Sequence, residues 1–178
     1  DIVFNAKYSD LKVLNGGMLS ADNYECEFLA SVIEDAEITS KYSEFEITMG
    51  QDVRIKSFYE DDFGAGKLSS LRVDESKYSG ITIIKLEKEV DIASAYEDEL
   101  SIEELGTGLE AFSIDGRYLE IDLGVPSSLD CRLKANIKYP DFDIDEDVFR
   151  TKIHIKESSQ LEYEGIKGRE KEDMTTRS

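Results

Sequence analysis

Two acidic triplets, Glu60-Asp61-Asp62 and Glu97-Asp98-Glu99, are the residues of this chain best suited to bond-breaking chemistry. Paired carboxylates on either side of a glycosidic bond can act as acid and as base or nucleophile. In a chain with 40 acidic residues such pairs also arise without a function, so no catalytic residue is assigned. A second run, Asp141, Asp143, Asp145 and Asp147, alternates with Phe142 and Ile144. On a strand it would line its carboxylates along one outward face and offer calcium the oxygen ligands it prefers. The run lacks the glycine and terminal glutamate of an EF-hand loop. It reads as a solvated acidic face, and no metal or cofactor is expected. His154, the one histidine, stands between Ile153 and Ile155. A catalytic triad or a His-rich metal site has too few histidines here, and the alternation makes His154 the solvent-side residue of a strand. No glycine loop has the spacing of a phosphate cradle. The chain is therefore expected not to be an enzyme.

The elements that would position these groups are announced by tyrosine. The phrase Lys-Tyr-Ser recurs at Lys7-Tyr8-Ser9, Lys41-Tyr42-Ser43 and Lys77-Tyr78-Ser79. The nine tyrosines, Tyr8, Tyr24, Tyr42, Tyr59, Tyr78, Tyr96, Tyr118, Tyr139 and Tyr163, fall about twenty positions apart. Six and four residues before the tyrosine stand apolar pairs: Ile2/Phe4, Ala36/Ile38, Val53/Ile55, Val90/Ile92 and Phe112/Ile114. This period of two marks a strand that ends on the tyrosine. Beyond it the apolar positions fall at +3 and +5, as in Leu11/Val13, Phe45/Ile47 and Ile81/Ile83, but at +4 for Phe28, Phe63 and Leu100. The change of parity calls for a bend or bulge next to the tyrosine. Turn residues separate the phrases, and no stretch has the spacing of a long helix.

Short strand phrases at a fixed period indicate a stacked repeat, in which neighbours bury the face that one unit cannot bury alone. The fold expected is an all-β, parallel β-solenoid over residues 1–168, with residues 169–178 as a mobile tail or linker. Two coil geometries fit. One phrase makes one coil of about 16–24 residues, which the short connections favour. Alternatively two phrases make a coil of about 35, because Ser and Glu alternate after the tyrosine and Lys recurs before every second one. Tyr8, Tyr24, Tyr42, Tyr59, Tyr78, Tyr96, Tyr118 and Tyr139 then form a structural ladder. Parity places it inside or filling a corner; the alternative is an outward stripe on which sugar rings stack. Cys26 and Cys131 are six coils apart in the first geometry, about 29 Å, and three in the second, about 14 Å. Both exceed the roughly 7 Å between Cα atoms that a disulfide allows, so no internal disulfide is expected and both read as buried small hydrophobes.

The formal net charge of −19 repels phosphate backbones and argues against nucleic-acid binding. No run of about 18 apolar residues is present, so no transmembrane segment is expected. Ile2, Phe4 and Ala6 already alternate like later phrases, so the chain is expected to be a piece of a longer protein.

The Lys-Tyr-Ser phrase, together with Val125-Pro126-Ser127-Ser128-Leu129-Asp130-Cys131-Arg132-Leu133, resembles a family of bacterial adhesin-type β-solenoid domains of unknown function, related to the autotransporter-adhesin head (head GIN) domain. The resemblance covers residues 2–144, although those head domains carry Ser-Gly-Ser-Gly where this chain carries Lys-Tyr-Ser. It implies an exported protein of the periplasm, outer membrane or cell surface: a non-catalytic scaffold that presents a repetitive β-surface to a protein or polysaccharide ligand. The alternative is a carbohydrate-active or carbohydrate-binding β-helix.

Overall fold

The computed structural model describes residues 1–139, 150–157 and 159–167. Among them there are thirteen strands and no helix. These are β1 (Ile2–Lys7), β2 (Asp10–Tyr24), β3 (Glu27–Lys41), β4 (Glu44–Tyr59), β5 (Asp62–Val73), β6 (Ser76–Lys77), β7 (Gly80–Tyr96), β8 (Glu99–Leu105), β9 (Ala111–Arg117), β10 (Glu120–Leu123), β11 (Cys131–Lys138), β12 (Arg150–Glu157) and β13 (Gln160–Lys167). From β1 to β11 every pairing is parallel and joins neighbouring turns of one winding chain. The protein is thus a β-solenoid with one tyrosine phrase per coil. Lys7 pairs with Tyr24, Tyr24 with Lys41, and Lys77 with Tyr96.

That register corrects one expectation. Phrases do not align tyrosine on tyrosine; alternate coils are offset by one residue. What repeats is a backbone conformation. Tyr8, Glu25, Tyr42, Glu60, Tyr78, Glu97, Tyr118 and Tyr139 all have φ between 49 and 56°, the left-handed region. They are 17, 17, 18, 18, 19, 21 and 21 positions apart. Counted from these residues, Leu11, Phe28, Phe45, Phe63, Ile81, Leu100 and Ile121 all stand at +3. The +4 slips at Phe28, Phe63 and Leu100 vanish, because in those coils the tyrosine sits one place before the left-handed residue.

The same conformation overturns the inward ladder. Strict alternation from Ile38 and Ser40 would turn Tyr42 toward the core. The left-handed residue instead puts two consecutive side chains outside, Lys41 and Tyr42, before Ser43 and Phe45 turn in again. Elsewhere two consecutive residues face outward without a left-handed residue, as at Ser31–Val32 and Glu34–Asp35 on either side of the buried Ile33. The interior holds columns of like residues, including a phenylalanine stack from Phe4 through Phe28 and Phe45 to Phe58, with centroids 5.7–6.0 Å apart. Later coils are longer because loops are spliced in away from the left-handed corner. Each is pinned by a buried leucine, Leu109 or Leu129, whose N–H closes a turn onto Gly106 or Pro126.

Parallel stacking does not run the length of the domain. β13 is antiparallel to both β11 and β12. An open last coil would expose a row of unpaired main-chain groups; β13 covers that edge. It buries Leu161, Tyr163 and Ile166. Tyr163 lies opposite Ala135 in this cap, outside the ladder.

The left-handed tyrosines yield a prediction. A β-branched residue at positive φ is strained, whereas Asn tolerates it. Tyr78→Val and Tyr78→Asn remove the same ring contacts. Tyr78→Val is expected to be less stable than Tyr78→Asn by roughly 2 kcal/mol in urea titrations. Equal midpoints would refute a left-handed residue 78.

Candidate functional site

The left-handed corner carries two arrays, one inside and one outside. Inside stands the residue that follows the left-handed position, six times a small polar one, Ser9, Cys26, Ser43, Asp61, Ser79 and Asp98, of which Ser9 is half-buried, and in the next coil Leu119 instead. At the corner the left-handed N–H donates to the next coil, as Tyr42 N to Tyr59 O at 3.0 Å, and the N–H two places on donates to the previous one, as Glu44 N to Cys26 O at 2.9 Å. In four successive coils the N–H between them is taken by a side chain of the next coil. Cys26 N–H donates to Ser43 Oγ (3.0 Å), Ser43 N–H to Asp61 Oδ1 (2.7 Å), Asp61 N–H to Ser79 Oγ (3.2 Å) and Ser79 N–H to Asp98 Oδ1 (2.8 Å). Asp61 and Asp98 use the second oxygen within their own coil, accepting from the N–H of Tyr59 (2.7 Å) and Tyr96 (3.2 Å). Ser76 Oγ adds a bond to Asp98 at 2.5 Å.

Asp61 is 1% exposed and Asp98 7%. Burial pushes the Asp61 carboxyl up to about 6, against the opposing pull of the Tyr59 and Ser43 N–H groups and the nearby Ser40 hydroxyl. Burial raises Asp98 as well, opposed by Ser76, Ser79 and Tyr96. Ser79 separates the two carboxylates by a coil, and each is committed to main-chain donors. They do not face one another across a cleft, so the glycosidase pair suggested by the two triplets does not form. Only the middle residue of each triplet turns inward; Glu60, Asp62, Glu97 and Glu99 are exposed.

Outside, the rings of Tyr8, Tyr24, Tyr42, Tyr59, Tyr78, Tyr96, Tyr118 and Tyr139 follow one another along the corner with centroids 4.6–5.8 Å apart. From Tyr8 to Tyr118 each contact is edge-to-face, at 75–85°. The offset register explains this, since successive rings come alternately from the left-handed position and the one before it. Tyr118 and Tyr139 are both left-handed, and they stack in parallel at 4.6 Å and 3°. Tyr8, Tyr42, Tyr78, Tyr118 and Tyr139 are between 41 and 71% exposed. Lys7 Nζ lies 5.7 Å from the Tyr24 ring and Lys41 Nζ 5.8 Å from Tyr59, within cation–π range. Partial desolvation raises the hydroxyls of Tyr24 and Tyr59, helped by Glu25 and Glu60. For Tyr96 the hydrogen bond to Glu97 is the first cause.

Cys26 and Cys131 are buried and are not joined to each other by a disulfide. Cys26 belongs to the inner row, its Sγ donating to Tyr24 O at 3.3 Å. Asp141, Asp143, Asp145 and Asp147 and residues 169–178 lie outside the described residues, as does the side chain of His154, whose backbone sits opposite Tyr163. Among the described residues no group of three or more His, Cys, Asp or Glu side chains is placed to hold a metal ion.

Sequence reasoning missed the inner row. The signal was present in the six residues themselves, but aligning phrases on tyrosine set Glu25, Glu60 and Glu97 beside Ser9, Ser43 and Ser79 and hid Cys26, Asp61 and Asp98.

Comparison with protein-family models, curated proteins and solved structures found no match to this chain.

Asp61 predicts a pH dependence. Its folded-state pKa lies above its unfolded value, so the protonated form is favoured by folding. The stability it contributes is fully present below about pH 4, the unfolded value, and is lost as pH rises through about 6. Between the extremes this amounts to about 3 kcal/mol. Denaturant midpoints are expected to rise from pH 7 to pH 5, and the rise to shrink in Asp61→Ser, which installs the residue used at Ser43 and Ser79. An unchanged slope in that variant would exclude Asp61 as the source.

Proposed function

We propose that this chain is a non-catalytic binding scaffold of the bacterial cell envelope or cell surface, and that its ligand is a protein or polysaccharide contacted by the tyrosine corner. The observation that carries the reading is the exposure of the ladder. Aromatic rings set in a row on the outside of a rigid edge offer contact area at low entropic cost, and aromatic side chains are enriched at binding surfaces for that reason. The main-chain bonds beneath hold the row in place without help from a ligand. The exported location rests on the adhesin-type resemblance of the Lys-Tyr-Ser phrases. No helix among the described residues is long and apolar enough to cross a membrane.

A carbohydrate ligand is the second reading, and the outward orientation of the rings favours it, because sugar rings stack on exposed aromatic faces. Catalysis has no such support, since the buried Asp61 and Asp98 are held by main-chain donors.

The test is sedimentation of labelled protein with isolated bacterial envelopes, alongside the double variant Tyr42→Asn, Tyr78→Asn. Asn keeps the left-handed backbone while deleting two rings. The wild type is expected to sediment with the envelopes and the variant, folded by circular dichroism, to lose at least fivefold in bound fraction. Equal sedimentation of the two, or none for the wild type, would reject the ladder as the contact. In the same preparations no new reducing ends are expected; their release would reject the non-catalytic part.

A further inference from the structure

A second outward feature lies one face away from the tyrosine corner. Between the side-chain columns four and six places after the left-handed residue, the solenoid wall is hollowed into an open depression of about 630 Å³. It reaches from Lys12 on β2 to Glu103 on β8. It crosses six coils, and the five steps between them at about 4.8 Å each make it about 24 Å long, parallel to the solenoid axis. Its floor is Gly64 and Gly66 of β5, where neighbouring coils place Glu46, Thr48, Thr82 and Ile84.

The two glycines have different reasons. A Cβ on Gly66 would come within 2.6 Å of the carbonyl oxygen of Thr48, so the backbone demands glycine there. The nearest atoms to a Cβ on Gly64 would be those of the Glu46 carboxylate, the far end of an exposed and flexible side chain. Glycine inside a strand costs roughly 0.5–1 kcal/mol against alanine. At Gly64 the nearest obstacle is this movable carboxylate and not the backbone, and the glycine keeps the hollow open.

We infer that this groove is a binding site for a neutral polysaccharide chain lying along the solenoid axis. The inference rests on the reading of the chain as a binding scaffold and gives that scaffold a ligand class and a second contact surface. An elongated open trough of this length fits a linear polymer. Ser31, Thr48 and Thr82 line it with hydroxyls that both donate and accept. Glu46 and Glu103 add carboxylates that accept strongly from hydroxyl groups. Leu29 and Ile84 supply apolar patches for the C–H faces of sugar rings. An anionic polymer is disfavoured because Glu46 and Glu103 outnumber Lys12 in the lining and because the net charge is −19. An extended peptide would need a free strand edge for main-chain pairing, whereas β5 is already paired on both sides, to β4 and β7.

The experiment is native affinity electrophoresis in gels containing mixed-linkage β-glucan, galactomannan, dextran or, as the acidic comparison, polygalacturonate. Titration calorimetry follows for any polymer that retards the protein. Gly64→Tyr fills the floor from an outward strand position, and Thr82→Tyr fills it from the next coil should the first variant prove unstable. The expected result is retardation by at least one neutral polymer and none by polygalacturonate. Gly64→Tyr should bind at least tenfold more weakly with its melting temperature retained, and Glu46→Gln should weaken binding in the same direction. No retardation by any of the neutral polymers overturns the groove, as does retardation that Gly64→Tyr and Thr82→Tyr leave unchanged. Retardation lost in Tyr42→Asn, Tyr78→Asn but kept in the filled-groove variants would also overturn it, while leaving the tyrosine scaffold standing.

Discussion

One main-chain amide in each of four successive coils, from Cys26 to Ser79, constrains the middle of the molecule. To turn a parallel strand through the tyrosine corner, a residue other than glycine adopts the left-handed conformation, at roughly 1 kcal/mol or more. That turn feeds one N–H forward and one back, and leaves the N–H between them pointing at the next coil with nothing opposite. A buried amide without a partner would cost about 1–3 kcal/mol more. The answer is a short acceptor on the following coil: Ser43 for Cys26, Asp61 for Ser43, Ser79 for Asp61 and Asp98 for Ser79. Because each acceptor serves the coil before it, stacking is specified by side chains that are themselves inside the stack.

The two acceptor types set up the two-coil rhythm. A serine hydroxyl accepts from the preceding coil and donates to a carbonyl of its own coil, as Ser43 and Ser79 do to Lys41 and Lys77. An aspartate can only accept while ionised, so its second oxygen takes an amide of its own coil, that of Tyr59 or Tyr96. Serine coils carry Lys then Tyr at the corner, and aspartate coils carry Tyr then Glu. The outside thereby becomes a checkerboard. From Tyr8 to Tyr118 successive tyrosines lie in alternate columns, so their rings meet edge to face, which suits the aromatic quadrupole. Lys7, Lys41 and Lys77 never occupy adjacent coils, and neither do Glu25, Glu60 and Glu97, which keeps like charges about 10 Å apart along the axis.

The solenoid was legible because its period is written in large residues: tyrosine at the corner and apolar pairs at fixed distances before it. The short connections correctly favoured one phrase per coil. The corner itself was not legible. Left-handed residues are ordinarily signalled by Gly or Asn, and here they are Tyr and Glu, which carry no such signal. Without that conformation, period-two reasoning ran straight through the corner and turned the tyrosines inward. The buried Asp61 and Asp98 were masked by their neighbours, since a run of three acidic residues reads as solvated surface when only one of them is turned in. The antiparallel cap was hidden for a different reason: Gln160–Lys167 alternates like any other strand, and strand direction leaves no mark in alternation.

Division of labour between inside and outside follows from this arrangement. Stability resides in the core columns and in main-chain bonds that run from coil to coil. The outer charges add little: Lys56–Glu37, Lys67–Glu87 and Lys85–Glu104 bridge neighbouring coils, but such exposed pairs contribute about 0–1 kcal/mol each. Outward columns are therefore free to vary without loss of the fold, provided each residue suits a strand. A residue that suits a strand poorly, placed outward where the backbone does not require it, then stands out against that freedom. Gly64 is such a residue, and Gly66, one outward position further on, is not. Two glycines that look alike in the sequence part company once the carbonyl of Thr48 is seen over one and the flexible end of Glu46 over the other.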